Sequence, residues 1–323
     1  MQKSNNEKSL NVTNPQAKEL KMRYFVFCDG TGQNLSSKNK SNVAKIFLSA
    51  KGEDIKPSNG FSRAKKHEQN IFVYQNGIGA DKIEFPSWGW VLEKFHLLSG
   101  AEIQDKVSEI IEYLLSVLNE DDEVIFVGFS RGASTCRMVS SLLLEKLPKA
   151  KIQYMLLFDT VYSVFVPIEV KGFGKRKYFK DLSINSSIPF VDHLISCDEM
   201  REKFPLTPVN KREGVNQIAF AGAHSDVGGG LPSTELSDIA LEYSFEALIN
   251  HFGDDLFKVQ SFSPNPVGQI GWDSLGGTGQ KHFPRDFKDL DFAVHESVEQ
   301  RTERGGSIPI ALAQLQPYCK TNF

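Results

Sequence analysis

A serine with one glycine two positions before it and another two positions after it lies in FVGFSRGA, residues 126–133. In a G-x-S-x-G pattern the serine occupies a sharp turn between a strand and a helix, where side chains at the glycines would collide with both elements. A serine at such a turn can attack an acyl carbonyl when a neighbouring base takes its proton. The pattern is short enough to occur by chance. Ser130, between Gly128 and Gly132, is therefore open to two interpretations, a nucleophile or an ordinary turn serine.

An aspartate and a histidine follow this serine along the chain, each at the end of an apolar run. Asp159 ends KIQYMLLFD, and His224 follows VNQIAFAGA. The order serine, acid, histidine is that of the α/β hydrolases. It predicts that Ser130 attacks an acyl carbonyl, that His224 takes the proton and returns it to the leaving group, and that Asp159 orients the imidazolium. Taken singly, Asp159 could instead cap a helix, and His224 could be a buried histidine bonded to a carbonyl.

The oxyanion of such a reaction needs two N–H donors. The backbone N–H of Arg131 follows the serine at the predicted helix start and is expected to supply one of them. The second is expected from Gly30 or Thr31, in the glycine-rich loop CDGTGQN after the first apolar strand. The predicted reaction uses no cofactor and no metal ion.

Three further residues are secondary candidates at the predicted site. Asp29 either takes part in catalysis or fixes its glycine-rich turn through a local hydrogen bond. With His224 and Asp226 it could form an oxygen-rich metal site, although the spacing matches no standard ligand pattern. His295, in VHESVEQR, is a rival for the role of base. His193 is a weaker rival, because it lies in a stretch that resembles a helix.

Strands and helices alternate along most of the chain, which predicts an α/β fold. Short continuous apolar runs are typical of strands buried on both faces of a parallel sheet, and amphipathic spacing indicates helices between them. We expect the α/β-hydrolase fold, with a mostly parallel central sheet, helices on both faces and loop insertions. In such sheets the site forms at the carboxyl ends of the strands. The predicted strands lie in the segments MRYFVFCDGTGQN, NIFVYQNGIG, DEVIFVGFS, KIQYMLLFDTV and VNQIAFAGAHSDVGGG, and the predicted helices include residues 101–118, 131–147 and 233–253.

The helices and the domain division are predicted from spacing and composition. The helix at 233–253 opens with a capping-box-like Ser/Thr and Glu pattern and ends at Gly253. A disordered polar tail is predicted for residues 1–21, followed by one hydrolase domain over 22–323 in which 254–323 is less regular. The apolar face predicted for the helix at 101–118 contains Ile103, Val107, Ile110, Ile111, Leu114, Leu115 and Leu118.

Charge and cysteine usage disfavour several classes of protein. The net charge is −3 and no segment concentrates Lys and Arg, so the chain is not expected to bind nucleic acid. The densest basic run, residues 174–180, is interpreted as a solvated loop. The four cysteines have no CxxC spacing and are expected to be reduced. No signal peptide and no apolar run of roughly 18 residues is found, which predicts synthesis in the cytoplasm.

With these residues in view, the chain resembles the bacterial α/β hydrolases of the DUF2235 type, a family that includes the first class of type VI secretion lipase effectors. The matching segments occur in the family's order over roughly residues 23–301, most of the chain, and are far more specific together than the serine pattern alone. They are FVFCDGTGQN, SNVAKI, VYQNGIG, VIFVGFSRGAST, LLFDTV, SCDEMREKFP, FAGAHSDVGGG and VHESVEQR.

The resemblance implies a serine esterase, with phospholipase A activity in the secreted members. It puts the nucleophile at Ser130, the acid at Asp159 and the base at His224. It also implies lipid or phospholipid acyl esters as substrates, contact with a membrane surface, an immunity or secretion-machinery partner, and delivery into a target cell by type VI secretion. Family members often have an aromatic residue where this chain has Gly32, so the oxyanion loop is expected to differ.

Two questions stay open from the sequence. The aromatic stretch at residues 85–98 could form a lid or an acyl-chain wall, or it could be an ordinary helix that faces the core. Two other functions also fit the residues. One is a housekeeping esterase that acts on small soluble esters, and the other is a non-catalytic binding module that keeps the turn around Ser130 without a working triad.

Overall fold

The computed structural model describes residues 20–80, 88–162, 182–271 and 284–313, with the backbone alone for residues 88–101 and 310–311. The strands in these ranges are β1 (Arg23–Cys28), β2 (Glu53–Ile55), β3 (Arg63–His67), β4 (Asn70–Gln75), β5 (Glu123–Phe129), β6 (Lys151–Phe158), β7 (Phe190–Ser196), β8 (Val215–Phe220) and β9 (Ala293–Val294). The helices are α1 (Asn42–Ser49), α2 (Trp88–Val117), α3 (Arg131–Lys146), α4 (His224–Gly228), α5 (Glu235–Phe252), α6 (Glu296–Glu303) and α7 (Ile310–Ala313), with a 3-10 helix at Asp254–Leu256.

These strands form one sheet in the order β2-β3-β4-β1-β5-β6-β7-β8-β9. Neighbouring strands from β4 to β9 are parallel, whereas β2, β3 and β4 are joined by antiparallel pairing at one edge. The prediction of a mostly parallel sheet of the α/β-hydrolase type is confirmed. Because the carboxyl ends of parallel strands lie at the same edge of a sheet, the loops after β1, β5, β6 and β8 come together there.

Two apolar cores cover the two faces of the sheet. Successive side chains of a strand point to opposite faces. Tyr24, Val26 and Cys28 of β1 therefore pack with α2 and α3, while Phe25 and Phe27 pack with α1 and α5. A smaller apolar cluster joins α6 to the ends of β7 and β8. Helices thus lie on both faces, as the alternation of strands and helices predicts.

Helix α2 begins at Trp88, well before the predicted start at residue 101. The assignment of Leu115 to the buried face is wrong, because it follows Leu114 by one position and is turned about 100° around the helix axis. Its side chain is 39% exposed. Leu118 lies beyond the end of the helix and is half-buried against the core. The predicted face is correct at Ile103, Val107, Ile110, Ile111 and Leu114, all of which are buried.

The stretch around His193 forms strand β7, so its interpretation as a helix is wrong. The strand pairs in parallel with β6 and β8. A histidine can lie in a buried strand when its ring nitrogens have partners. His193 meets this condition, because its Nε2 accepts the Thr160 N–H at 3.1 Å and its Nδ1 lies 3.1 Å from Gln217 Oε1.

The start of α5 also differs from the prediction, while its end agrees. Thr234 precedes the helix, but its hydroxyl donates to Asp238 Oδ2 at 3.0 Å and no side chain caps the backbone there. The prediction of a capping box at the start of α5 is therefore wrong. At the other end, the Gly253 N–H donates to the carbonyl of Ile249, and Gly253 has a φ of 93°. Glycine adopts that conformation more readily than other residues, which explains why the helix ends there.

Several predictions fall on residues outside the described ranges. They concern most of the polar tail, the basic run at 174–180, the side chains of the aromatic stretch and Cys319. The division into a tail and one domain therefore stays a prediction. Cys28, Cys136 and Cys197 are free and buried, as expected for reduced cysteines that pack as small apolar residues. Among the helices in the described ranges, none has the length and apolar character that crossing a bilayer requires.

Candidate active site

Ser130 lies at a sharp turn between β5 and α3. Its φ of 57° and ψ of −120° are strained for a residue other than glycine. The flanking glycines are required by close approach. A Cβ at Gly128 would lie 2.7 Å from Ala133 Cα, and a Cβ at Gly132 would lie 2.1 Å from the Cys28 carbonyl oxygen. The two glycines therefore allow α3 to start directly behind β5 and against the end of β1.

Asp159 follows β6, the strand next to β5, and its carboxylate is completely buried. Oδ1 accepts hydrogen bonds from the Ser196 N–H at 2.9 Å and from Arg285 Nη1 at 2.6 Å. Oδ2 accepts from Ser196 Oγ and from Arg285 Nη2, each at 3.0 Å. The same Oδ2 lies 2.6 Å from His224 Nδ1. Both carboxylate oxygens are therefore saturated with donors, and one of those donors is the imidazole.

His224 is the first residue of α4 and is held on several sides. Its Nδ1 contacts Asp159, and its backbone N–H donates to Glu199 Oε2 at 3.3 Å. The centre of the imidazole lies 4.6 Å from the ring of Phe129 and 5.0 Å from the ring of Phe204. A neutral imidazole that donates through Nδ1 has its lone pair at Nε2. The ring is therefore prepared to accept a proton at Nε2.

The electrostatic surroundings of Asp159 favour its ionised form. Burial raises the pKa of the Asp159 carboxyl, but the charge of Arg285 and the hydrogen bond and charge of His224 outweigh it and hold that pKa well below its usual range. Asp159 is therefore a carboxylate at any pH near neutrality. A fixed negative charge at Nδ1 stabilises the imidazolium that forms when Nε2 takes a proton.

The segments expected to supply backbone N–H donors to the oxyanion lie close to Phe129, the residue before the serine. Arg131 begins α3, where backbone N–H groups have no partner within the helix. A Cβ at Gly30 would lie 2.4 Å from the Phe129 ring, so the loop after β1 packs against the turn. In this loop Thr31 Oγ1 is buried, with no hydrogen-bond partner among the described residues. Gly32 has a φ of 73°, which disfavours the aromatic residue common in the family.

Asp29 follows β1 on the other side of β5 and is also buried. Its Oδ1 accepts the N–H of Gly30 at 2.7 Å, the kind of local bond that the turn interpretation predicts. The Tyr74 hydroxyl donates to Oδ2, and Ser41 gives a further side-chain hydrogen bond. These partners are neutral, and burial raises the pKa of Asp29 to about 6.

Asp226 holds the backbone that surrounds α4. Its carboxylate accepts the Ala223 N–H at 2.9 Å and the Gly271 N–H at 3.0 Å. Across the described ranges, no group of three or more His, Cys, Asp or Glu side chains is arranged to hold a metal ion. In the described part of the chain, Asp29, His224 and Asp226 do not form such a group.

The two rival histidines have other partners. His193 is fully buried in β7, and burial lowers its pKa to about 3. His295 precedes α6, where its Nδ1 accepts the Ser297 N–H and its ring stacks 4.4 Å from the centre of Phe220. Burial lowers the pKa of His295 as well. The structure brings neither ring to the carboxylate of Asp159, whose imidazole partner is His224.

Several residues around His224 and Asp159 are not among the sequence candidates. Arg201 forms a buried ion pair with Glu199 at 2.7 Å, and its guanidinium lies 3.7 Å from the centre of the Phe204 ring. The segment SCDEMREKFP, on which the family resemblance partly depends, contains these three residues and Ser196, and it is the sequence signal that points to them. Arg285 had no such signal, because the sequence around it has no periodicity.

The segments after β5, β6 and β8 thus bring a hydroxyl, a carboxylate and an imidazole to one edge of the sheet. The strained turn fixes the serine, and the buried carboxylate fixes the Nδ1 side of the imidazole. Helix and loop N–H groups lie beside the turn, where negative charge on a substrate oxygen can be stabilised. This combination of groups is suited to acyl transfer through a serine nucleophile.

Three solved structures show the kinds of protein to which this chain is similar. One is an uncharacterized protein from Pseudomonas aeruginosa, 19% identical, covering 76% of this chain and 47% of its own, with a TM-score of 0.45. Another is a Tle1 effector bound to the VgrG spike of the type VI secretion system, 19% identical, covering 65% and 51%, with a TM-score of 0.35. A third is a putative cell surface hydrolase from Lactobacillus plantarum, 9% identical, covering 74% and 94%, with a TM-score of 0.40.

The present chain spans about half the length of the first two of these proteins. No curated protein matches it in sequence. A family model described as type VI secretion system phospholipase effector Tle1-like, catalytic domain, matches residues 22–147 and 143–247, well over half of the 323 residues. The chain therefore belongs to the Tle1-like family of type VI secretion phospholipase effectors, and the match lies in the catalytic domain.

Proposed function

We propose that this protein is a serine hydrolase that cleaves carboxylic esters of lipids, with Ser130 as nucleophile, His224 as base and Asp159 as the acid. The proposal depends above all on one observation, the 2.6 Å contact between His224 Nδ1 and the buried carboxylate of Asp159, next to a serine held at a φ of 57°. A strained serine and an oriented imidazole at one sheet edge are the parts that this chemistry needs.

The proposed reaction proceeds in two stages through an acyl-enzyme. Ser130 Oγ attacks the acyl carbonyl while its proton passes to His224 Nε2, and the oxyanion accepts hydrogen bonds from the N–H groups of Arg131 and Thr31. Of the two loop donors expected from the sequence, Gly30 is the less suitable, because its N–H already donates to Asp29 Oδ1 at 2.7 Å. The C–O bond to the leaving alcohol breaks, and the alcohol takes the proton from the imidazolium. Water then attacks the acyl-enzyme with His224 as base, which releases the fatty acid and returns the serine to its hydroxyl form.

The family supports phospholipid acyl esters as substrates and delivery by type VI secretion. A Tle1 effector has been solved bound to a VgrG spike, which supports a secretion-machinery partner for this chain too. Contact with a membrane surface and an immunity partner are part of the same proposal. The backbone of residues 88–98 belongs to α2, and a lid or acyl-chain wall formed by the aromatic residues there is a further part of it.

The test of this proposal is labelling with a fluorophosphonate probe, compared with turnover of phospholipid vesicles and of short soluble esters. Wild type should be labelled and should release fatty acid from vesicles, and S130A should do neither. S140A is the matched control, because Ser140 is buried in α3, the helix that follows Ser130, and its hydroxyl donates to the Arg137 carbonyl. The absence of labelling on folded wild type would favour the non-catalytic binding module. Fast turnover of short esters with no release from vesicles would favour the small-ester esterase.

The choice of base has its own prediction. H224A should lose at least about 10⁴-fold in kcat, because His224 is the proposed acceptor of the Ser130 proton. H295A should keep turnover within a few-fold, because the His295 ring stacks on Phe220 instead of contacting Asp159. Steady-state hydrolysis of a soluble ester measures both. The reverse pattern would assign the base to His295.

A further inference from the structure

Arg285 makes several buried hydrogen bonds near the proposed site. Its guanidinium donates to both oxygens of Asp159, with Nη1–Oδ1 at 2.6 Å and Nη2–Oδ2 at 3.0 Å. Nη1 also donates to Ser196 Oγ at 2.8 Å, and Nη2 and Nε donate to the carbonyl of Phe204 at 2.9 and 3.2 Å. The side chain is 8% exposed. All three guanidinium nitrogens are therefore engaged in fixed directions.

These contacts connect segments that are far apart in sequence. Asp159 follows β6, Ser196 ends β7, and Phe204 lies in the loop beyond β7 with its ring against His224. A planar guanidinium that binds both oxygens of a carboxylate fixes its plane as well as its position. Asp159 also has a φ of 39°, a strained value that persists only when the surroundings hold it. Arg285 therefore determines how the carboxylate faces the imidazole.

We propose that Arg285 is a positioning residue for the Asp159–His224 pair, which fixes the carboxylate plane and so directs Nε2 of the imidazole toward Ser130. This inference depends on the proposed function, and it assigns a role to a residue that does not touch the substrate. The contacts to Ser196 and Phe204 hold the guanidinium in place. The carboxylate therefore cannot rotate without breaking its own hydrogen bonds to the guanidinium.

The charge of Arg285 and the geometry of its hydrogen bonds to Asp159 have separate consequences. Among the described residues, the charged or titratable groups that interact with this pair include Arg285, Glu199 with Arg201, His193 and Cys197. Glu199 is already paired with Arg201, so Arg285 is the cation that offsets the charge of Asp159. If that cation is removed, the carboxylate stabilises the imidazolium more strongly. The pH at which the free enzyme loses activity on the acid side should then rise.

The experiment compares R285Q, R285K and R301Q in the full chain, with kcat/KM for a soluble ester measured from pH 5 to pH 9. R285Q removes both the charge and the paired N–H donors that bind the two carboxylate oxygens. We expect about a 100-fold loss in kcat/KM, with the acid-side midpoint raised by about one pH unit. R285K keeps the charge but cannot bind both oxygens in plane. We expect about a tenfold loss with an unchanged midpoint.

R301Q controls for the loss of a buried arginine. Arg301 is 6% exposed, and its guanidinium donates to the carbonyls of Pro266, Gly268 and Ser307 without contacting Asp159. We expect R301Q to lower the Tm while it leaves kcat/KM and the midpoint unchanged. If R285Q does not fold, R285K alone decides, because it should lose rate at an unchanged midpoint. Wild-type rate in folded R285K or R285Q would overturn the proposal, and so would an equal rate loss in R301Q.

A second measurement is independent of catalysis. The proton between His224 Nδ1 and Asp159 should give a low-field ¹H NMR signal in wild type and R301Q, and R285Q should lose it or titrate it at higher pH. If wild type proves inactive, the proposed function fails, and this signal still decides whether Arg285 positions the pair. An unchanged signal and titration in R285Q would overturn the positioning role.

Discussion

Strand β5 is flanked by β1 and β6, and an aspartate follows each of them. Asp29 and Asp159 are both buried, with exposed fractions of 2% and 0%. Burial raises the pKa of Asp29 to about 6. It acts on Asp159 in the same direction, but there the charge of Arg285 and the contact with His224 outweigh it and hold the pKa well below its usual range. Two carboxyls in equivalent positions therefore differ in their electrostatic state.

The difference lies in the charge of the partners. Asp29 is bonded to neutral donors, the Tyr74 hydroxyl and the Gly30 N–H among them, which make a carboxylate tolerable but do not neutralise it. Asp159 is bonded to a guanidinium. A position at the carboxyl end of a strand next to the serine is therefore insufficient to identify a catalytic acid. A charged partner and a contact with an imidazole distinguish the two sides of β5.

The largest expected effect contrasts D159N with D29N. D159N should lower kcat by about 10⁴-fold, because an amide holds the imidazole in the wrong tautomer. D29N should lower kcat by less than about tenfold, because we expect Asp29 to fix only its own turn. Turnover of a soluble ester measures both, and near-UV circular dichroism checks that each variant is folded. A comparable loss in D29N would mean that both sides of β5 take part in catalysis.

The triad candidates could be predicted from the sequence because each of them follows or ends an apolar run. Parallel strands bring such positions to one edge whatever the details of packing. The same reasoning included Asp29, since the identity of its neighbours depends on which strand lies beside it. Asp29 is therefore a site candidate that only the structure separates from Asp159.

The missed features share a physical cause, which is that their stabilising partners are distant in sequence. Arg285 binds a carboxylate 126 residues away. The sequence around His193 resembles a helix. The Gln217 amide that permits a histidine inside β7 belongs to β8, so the residues near His193 in sequence do not indicate a strand. Strands β2 and β3 form a hairpin at the edge of the sheet. An edge strand exposed to solvent can contain several charged residues, as β3 does in RAKKH, so the hairpin has no apolar pattern in the sequence.

The two aspartates should make the stability of the fold depend on pH in opposite ways. The pKa of Asp29 is raised from 3.8 to about 6 on folding, so the folded state binds the proton more tightly than the unfolded state. Its contribution to the free energy of unfolding is present below about pH 4 and is lost as the pH rises through about 6. The loss amounts to about 3 kcal/mol. Asp159 has the opposite shift and contributes stability that is lost only when the pH falls below about 4.

D29N removes this titration and isolates it. The free energy of unfolding of wild type minus that of D29N should become more negative by about 2 kcal/mol between pH 4 and pH 7. Urea unfolding at several pH values measures the difference, and the S140A variant should run parallel to wild type. Parallel curves for D29N and wild type would mean that the buried carboxyl of Asp29 titrates normally, and the contrast between the two sides of β5 would disappear.

The smallest expected effect comes from S196A, which removes one neutral donor from Asp159 and one acceptor of Arg285 Nη1, while both bonds between Arg285 and the carboxylate remain. Ser196 Oγ donates to Oδ2 at 3.0 Å, so its loss should lower kcat/KM by about three- to tenfold and stability by about 1 kcal/mol. S244A is the control, because the Ser244 hydroxyl is equally buried and donates to the carbonyl of Ala240 at 2.6 Å. It should lose similar stability with no change in rate. A rate loss near that of D159N would show that neutral donors matter to Asp159 as much as its charged partners do, which is the opposite of what the contrast with Asp29 implies.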